Sequence, residues 1–333
     1  MTPQDLTPYL SRIIEAKLHL SLMIWGPPGI GKSSIVSGVA KAHGLKLVDL
    51  RLSQLAPTDL RGLPVAEDGI SRWFPPEFLP KEGRGILFLD EINMASPAMQ
   101  GIAQQLILDR KVGTYQVPDE WFIWAAGNRK SDRAAVFEMP SALANRFIHL
   151  DLVVDLDSFK SWGLRNGLSE QILAFLAFRP TLLHAVDAKN AAWPSPRSWS
   201  MADKLMRLGL SIEPAIGSGP TEEFNAFRAV YETLPDLDSI LRGRGKVLFP
   251  TEPSARYATV LGLAVRMQSA EQGVNGLLWL VKNAESEWVQ FYANDLFRML
   301  RERGEFGELI KIVNTNEILK DFVRDMRDLA FSI

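Results

Sequence analysis

The run Gly26-Pro27-Pro28-Gly29-Ile30-Gly31-Lys32-Ser33 reproduces the spacing G-x-x-x-x-G-K-[ST]. A loop of this kind turns successive backbone N–H groups onto a polyphosphate, while its lysine reaches the outer phosphates and its hydroxyl reaches a divalent cation. Gly26, Pro27, Pro28, Gly29, Ile30, Gly31, Lys32, Ser33 and Ser34 are therefore the expected nucleotide-binding residues, with Lys32 neutralising charge on the β- and γ-phosphates. Further along, Ile86-Leu87-Phe88-Leu89 ends in Asp90-Glu91. Beside a phosphate loop this pair implies hydrolysis. Asp90 is expected to hold Mg²⁺ with the Ser33 hydroxyl, directly or through water, and Glu91 to orient and deprotonate the attacking water.

Positioning these groups requires a particular set of elements. The apolar stretch Leu20 to Trp25 reads as a buried strand entering the loop, and Ser34 to Ala42 as the helix leaving it, so the loop amides and the helix N-terminus face one point. Further strands are predicted at Leu45 to Leu50, Ile86 to Leu89, Trp121 to Ala126 and Phe147 to Leu152, with helices at Pro8 to Lys17 and Pro97 to Leu108. Alternation of this kind predicts an α/β domain with a five-stranded, mostly parallel sheet covered on both faces. From about residue 156 helical spacing takes over, with Trp288, Phe291, Tyr292 and Leu296 on one face as core. Breaks are predicted at Gly217 to Pro220 and Gly243 to Pro253. The expected division is 1–154 for the nucleotide-binding domain, 155–220 for an all-helical lid and 221–333 for a helical C-terminal extension.

With 333 residues, 47% hydrophobic and 23% charged, the chain can build more than one core. The formal net charge of −2 disfavours a generally basic nucleic-acid surface. Cysteine is absent, which excludes disulfides, thiolate catalysis and cysteine-ligated zinc. His19, His43, His149 and His184 lack metal-ligand spacing and read as structural. With neither a signal-peptide pattern nor a long apolar run, the expectation is a cytoplasmic protein without a membrane span.

Ala125-Ala126-Gly127-Asn128 follows the strand Trp121 to Trp124, and Ser141-Ala142-Leu143-Ala144-Asn145-Arg146-Phe147 carries an arginine just before the next strand. Together with the loop and the acidic pair, these segments resemble the sensor 1 asparagine and arginine finger of AAA+ ATPases. Asp59-Leu60-Arg61-Gly62, Asp90-Glu91-Ile92-Asn93 and the hairpin-like stretch Arg110 to Pro118 resemble the MoxR-type branch. Met94 and Arg129 depart from that branch's usual residues, marking a divergent member. The resemblance implies that Asn128 positions water or reports the γ-phosphate, and that Arg146 acts on a neighbouring subunit's ATP. It further implies a ring, usually of six subunits in similar proteins. Arg133 is a rival trans arginine. Arg197, near the start of a predicted helix at Met201 to Leu208, resembles the sensor 2 arginine, with Arg256 as the alternative. The stretch Gln54 to Pro80 resembles the helix 2 insert, which similar proteins use with the hairpin to move a client. The implied function is ATP hydrolysis with Mg²⁺ that remodels or activates a protein client, with a partner bearing a von Willebrand factor A domain. A nucleic-acid motor or loader and a nucleotide-gated binding module that barely hydrolyses are the alternatives.

Overall fold

The computed structural model describes residues 1–132, 136–187, 189–231, 234–244 and 248–320. Two compact units divide the chain, the first Met1–Ser158 and the second from Phe159 onward. Among the described residues, nine strands lie in the first unit: β1 (Leu22–Trp25), β2 (Lys46–Arg51), β3 (Leu63–Glu67), β4 (Ile70–Phe74), β5 (Gly85–Asp90), β6 (Lys111–Val112), β7 (Tyr115–Gln116), β8 (Trp121–Gly127) and β9 (Ile148–Asp151). Five of them form one sheet in the order β2-β5-β8-β1-β9, and every neighbouring pair is parallel.

The central strands read as continuous apolar runs because both faces of the sheet are covered. Leu22 and Ile24, Ile86 and Phe88, and Phe122 and Trp124 share one core with Leu6, Leu10 and Ile13 of the helix Pro3–Glu15 and Val36 and Val39 of the helix Lys32–Ala42. The alternate residues Met23, Leu87, Leu89 and Ile123 join Met99, Ile102, Ala103 and Leu106 of the helix Pro97–Asp109 on the opposite face. Side chains alternate across a strand, so each run serves two cores. Truncating any of these fully buried leucines to alanine costs about 2–5 kcal/mol.

The first helix starts earlier than Pro8. Thr2 accepts from the Asp5 amide while Asp5 reaches back to the Thr2 amide, and Pro3 occupies the first turn, where its missing N–H costs nothing. Two hairpins interrupt the βα alternation, β3–β4 and β6–β7, both antiparallel. They fall within the predicted insert and the predicted hairpin stretch respectively.

The second unit is helical. Its helices Glu170–Phe178 and Pro253–Arg266 pack together, with Phe178 against Tyr257 at 5.8 Å between ring centroids and Arg266 paired with Glu170 at 2.6 Å. Trp288, Tyr292 and Leu296 are buried in its main core and Phe291 is half-buried against it, as the spacing predicts. The break at Gly217 to Pro220 is narrower than predicted. Gly217 alone, with φ 87°, ends the helix Glu213–Ile216, and the next helix, Ser218–Tyr231, begins at once with Pro220 in its first turn. Among the described residues no helix is long and apolar enough to cross a membrane.

Candidate nucleotide site

Three adjacent strands of the sheet end at one edge, and each delivers part of the site. The loop Gly26 to Gly31 follows β1 and leads into the helix Lys32–Ala42, whose N-cap Gly31 has φ 97°. An L-residue rarely adopts that backbone, so a side chain here would strain the turn that points the helix N-terminus into the loop. Lys32 is 9% exposed and its ammonium donates to Gly26 O at 2.6 Å, Pro27 O at 3.0 Å and Asn128 Oδ1 at 2.8 Å. The lysine thus ties the loop to the residue that follows β8.

Asp90 closes β5. Its Oδ2 accepts from the Ser33 hydroxyl at 2.6 Å, and its Oδ1 accepts from the Glu91 amide at 2.9 Å. Two hard oxygens, a hydroxyl and a carboxylate, side by side at a phosphate loop form a donor set that suits Mg²⁺, whose remaining ligands are ordinarily water and phosphate oxygens. Glu91 adopts the left-handed conformation, φ 56° and ψ 32°, and turns the chain straight from the strand into the short 3-10 helix Ile92–Met94. For a residue other than glycine that backbone costs about 1 kcal/mol or more, a strain concentrated at the expected base. Its Oε2 accepts from the Ser53 hydroxyl at 2.5 Å. Ser53 lies just beyond β2, the neighbour of β5, and the sequence reading gave it no role.

Negative charge accumulates on this side of the edge. Partial burial, followed by the charge of Asp90, holds the Asp49 carboxyl of β2 above the usual carboxylate range; Arg51 opposes the shift and Glu91 adds to it. On the opposite side Arg129 pairs with Asp151, and the Trp25 indole donates to His149 Nδ1 at 2.8 Å while His149 Nε2 meets Ala144 O at 2.8 Å. A cavity of about 530 Å³ opens here, lined by Asn93, Asn128, Phe137 and Met139 along with Trp25 and His149.

Asn128, the expected sensor residue, is buried, and the structure brings it within hydrogen-bond distance of Lys32. Arg146 follows the short helix Ser141–Ala144, is exposed, and has no side-chain hydrogen bond or ion pair among the described residues. Arg133 lies outside the described residues. In the second unit, Ser195 caps the helix Pro196–Arg207 in a capping box with Ser198, which places Arg197 in the first turn. That helix begins before the predicted Met201. Arg197 is exposed. Arg256 is engaged within its own unit, donating to Pro250 O at 2.9 Å and Glu285 Oε2 at 3.2 Å and lying over the Phe249 and Trp288 rings.

The parallel sheet, the phosphate loop after its β1 strand and the acidic end of β5 together form the arrangement of a P-loop nucleotide-binding domain. Residues 21–147 match the AAA domain of the dynein-related subfamily. The chain is similar to midasin of Giardia intestinalis, 29% identical over 166 residues that cover 46% of this chain and 3% of midasin, so it spans only a small part of that relative. Among solved structures it is similar to NtrX from Brucella abortus in complex with ADP, with a TM-score of 0.43, 16% identity and coverage of 90% of this chain and 68% of that one. It is also similar to the RuvB Holliday junction branch migration motor of Thermotoga maritima, with a TM-score of 0.42, 20% identity and coverage of 78% and 81%.

Proposed function

We propose that this protein hydrolyses ATP with Mg²⁺ as a subunit of a ring, hexameric as in the MoxR-type ATPases it resembles, and uses the cycle to remodel or activate a protein client. The observation that carries the reading is the convergence of Lys32, Ser33, Asp90, Glu91 and Asn128 at one sheet edge. In this reading the backbone N–H groups of Gly29 to Ser34 and the Lys32 ammonium bind the phosphates. Ser33 and Asp90 hold Mg²⁺, which screens phosphate charge when bound. Glu91 takes a proton from the attacking water, and Asn128 orients that water from the opposite side. Arg146 serves a neighbouring subunit, consistent with its exposure and with its lack of a side-chain partner among the described residues. Arg197 is the sensor 2 residue, supported by the engagement of Arg256 elsewhere.

The client-directed part rests on the two hairpins. Opposed residues in an antiparallel pair share a face, so Leu63, Val65, Ile70 and Phe74 stand together on one side of β3–β4. They are 68%, 47%, 62% and 51% exposed, too open for core packing. The second hairpin is bonded to the insert at two points, Thr114 Oγ1 to Trp73 O at 2.7 Å and the Tyr115 hydroxyl to Pro80 O at 2.7 Å. Arg110 anchors its base by donating to Pro118 O and to Trp121 O, the latter at 2.7 Å on the strand that ends at the sensor. Movement at the sensor strand therefore has a bonded route to the exposed apolar face. A von Willebrand factor A domain protein is the proposed partner, by resemblance to the same branch.

Mixing tests the reading. Lys32→Ala loses nucleotide affinity and Arg146→Ala loses the trans arginine, so each alone should be nearly inactive, an arginine finger being worth about 10³ to 10⁵ in rate. Mixed together they should regain phosphate release at interfaces pairing an intact pocket with an intact arginine. A fully active Arg146→Ala protein whose specific activity is independent of concentration overturns both the ring and the finger.

A further inference from the structure

Asn93 touches none of the groups assigned to ATP, yet it is 3% exposed and binds both backbone groups of Asn128. Its Nδ2 donates to Asn128 O at 2.6 Å, its Oδ1 accepts from Asn128 N at 3.3 Å, and its own carbonyl accepts from the Phe137 amide at 2.7 Å. We propose that Asn93 is a positioning residue for hydrolysis, fixing the backbone of Asn128 against the strand end that carries Glu91; the proposal rests on the ATPase reading above.

The sheet itself explains the need for such a tie. The ladder between β5 and β8 ends at the pair Leu89↔Ala125, so Asp90 and Glu91 on one side and Gly127 and Asn128 on the other extend beyond its last rung. Asn93 bridges the two chains past that point. One hydrogen bond would leave the Asn128 backbone free to rotate about it, whereas bonds to both its N–H and its C=O set the residue's orientation. That orientation determines where the Asn128 carboxamide lies, with its Oδ1 on Lys32 and its Nδ2 3.6 Å from Met94 Sδ. Gly127 fits the same arrangement. A Cβ there would meet Asn93 Oδ1 at 2.4 Å and Met23 Cε at 2.7 Å, so only glycine lets the amide come this close.

The two bonds require a side chain at 93 that donates and accepts at once, as the asparagine carboxamide does. Aspartate presents only acceptors and would set a carboxylate oxygen against Asn128 O, while alanine removes both bonds. Asn93 reaches the phosphate loop only through Asn128 and its single bond to Lys32, whose bonds to Gly26 O and Pro27 O remain, so turnover should suffer more than nucleotide binding.

The test is a double-mutant cycle on the full chain, comparing Asn93→Asp, Asn128→Ala and the double variant by steady-state phosphate release, nucleotide calorimetry and thermal melting. Asn93→Asp should lower kcat about 10-fold or more, because small misplacements of a positioned group cost up to about 100-fold, while the Kd for nucleotide stays within about threefold. In the Asn128→Ala background the same change should cost kcat less than about twofold, although its effect on the melting temperature persists. Asn93→Ala carries the same comparison if the aspartate variant fails to fold. Equal kcat losses in both backgrounds, or an unchanged kcat, overturn the assignment and leave the ATPase reading intact. A wild-type chain that binds nucleotide without turning it over removes both.

Discussion

Ser53→Ala should make the enzyme faster. The Ser53 hydroxyl donates to Glu91 Oε2 at 2.5 Å, and Glu91 must offer a carboxylate lone pair to water if it is the base. Hydrogen bonds to charged groups contribute about 1.5–3 kcal/mol net, and neutral ones about 0.5–1.5 kcal/mol. Ser53 is exposed and Glu91 half-buried, so water competes for both partners and a value near 1 kcal/mol is appropriate. Giving up that bond adds the same amount to the barrier. Removing it should raise basal kcat about fivefold, since 1.36 kcal/mol corresponds to tenfold. KM should hardly move, because Ser53 makes no contact with Gly26 to Ser33. The assay is phosphate release at saturating ATP and fixed protein concentration, run beside a Glu91→Gln series. The gain must vanish when Glu91 is replaced. A lower turnover in Ser53→Ala, or the same gain in the Glu91→Gln background, refutes the argument that this hydroxyl restrains the base.

Two further predictions concern stability. The buried pair Lys160 and Asp295, 2.7 Å apart with side chains 1% and 4% exposed, should make Lys160→Met cost about 3 kcal/mol in denaturant unfolding, and adding Asp295→Leu should recover part of it; a loss below about 1 kcal/mol contradicts this. Asp49 is held above its unfolded value by burial and by Asp90, so the folded chain binds its proton more readily, and stability falls as pH rises from the ordinary carboxylate range through the raised folded value. Asp49→Asn should therefore melt higher than wild type at pH 7, and the gain should disappear as pH drops below about 4; an equal gain at both pH values points away from ionisation.

The parts of this site legible from sequence are those whose role follows from spacing along one segment. Glycines, lysine and serine in a single loop carry their own geometry, and β1, β5 and β8 are legible because burial on both faces leaves no polar residue inside the runs Leu22–Trp25, Ile86 to Leu89 and Trp121 to Ala126. Thr2 and Asp5 were as readable as Pro8, but the proline inside the helix is the louder signal and masked the earlier start. The β3–β4 hairpin shows the opposite problem. With neither face buried, Leu63 to Glu67 and Ile70 to Phe74 display no alternation of exposure for a core to impose, so the insert is recognisable only by its position.

Ser53 and Asn93 belong to a third class, in which the role depends on which strands are neighbours. A serine after β2 matters to Glu91 only because β2 lies against β5, and an asparagine after β5 matters to Asn128 only because β8 lies on the other side. The strand order β2-β5-β8-β1 thus arranges the chemistry as a series of contacts across the sheet edge: Ser53 on Glu91, Asn93 on Asn128, Asn128 on Lys32. Each contact joins one strand end to the next, and the β6–β7 hairpin joins the same strand through Arg110, which donates to Trp121 O on β8. In the proposed function the phosphate-binding residues lie in one segment, whereas the residues proposed to link hydrolysis to the rest of the domain are distributed over the strand ends.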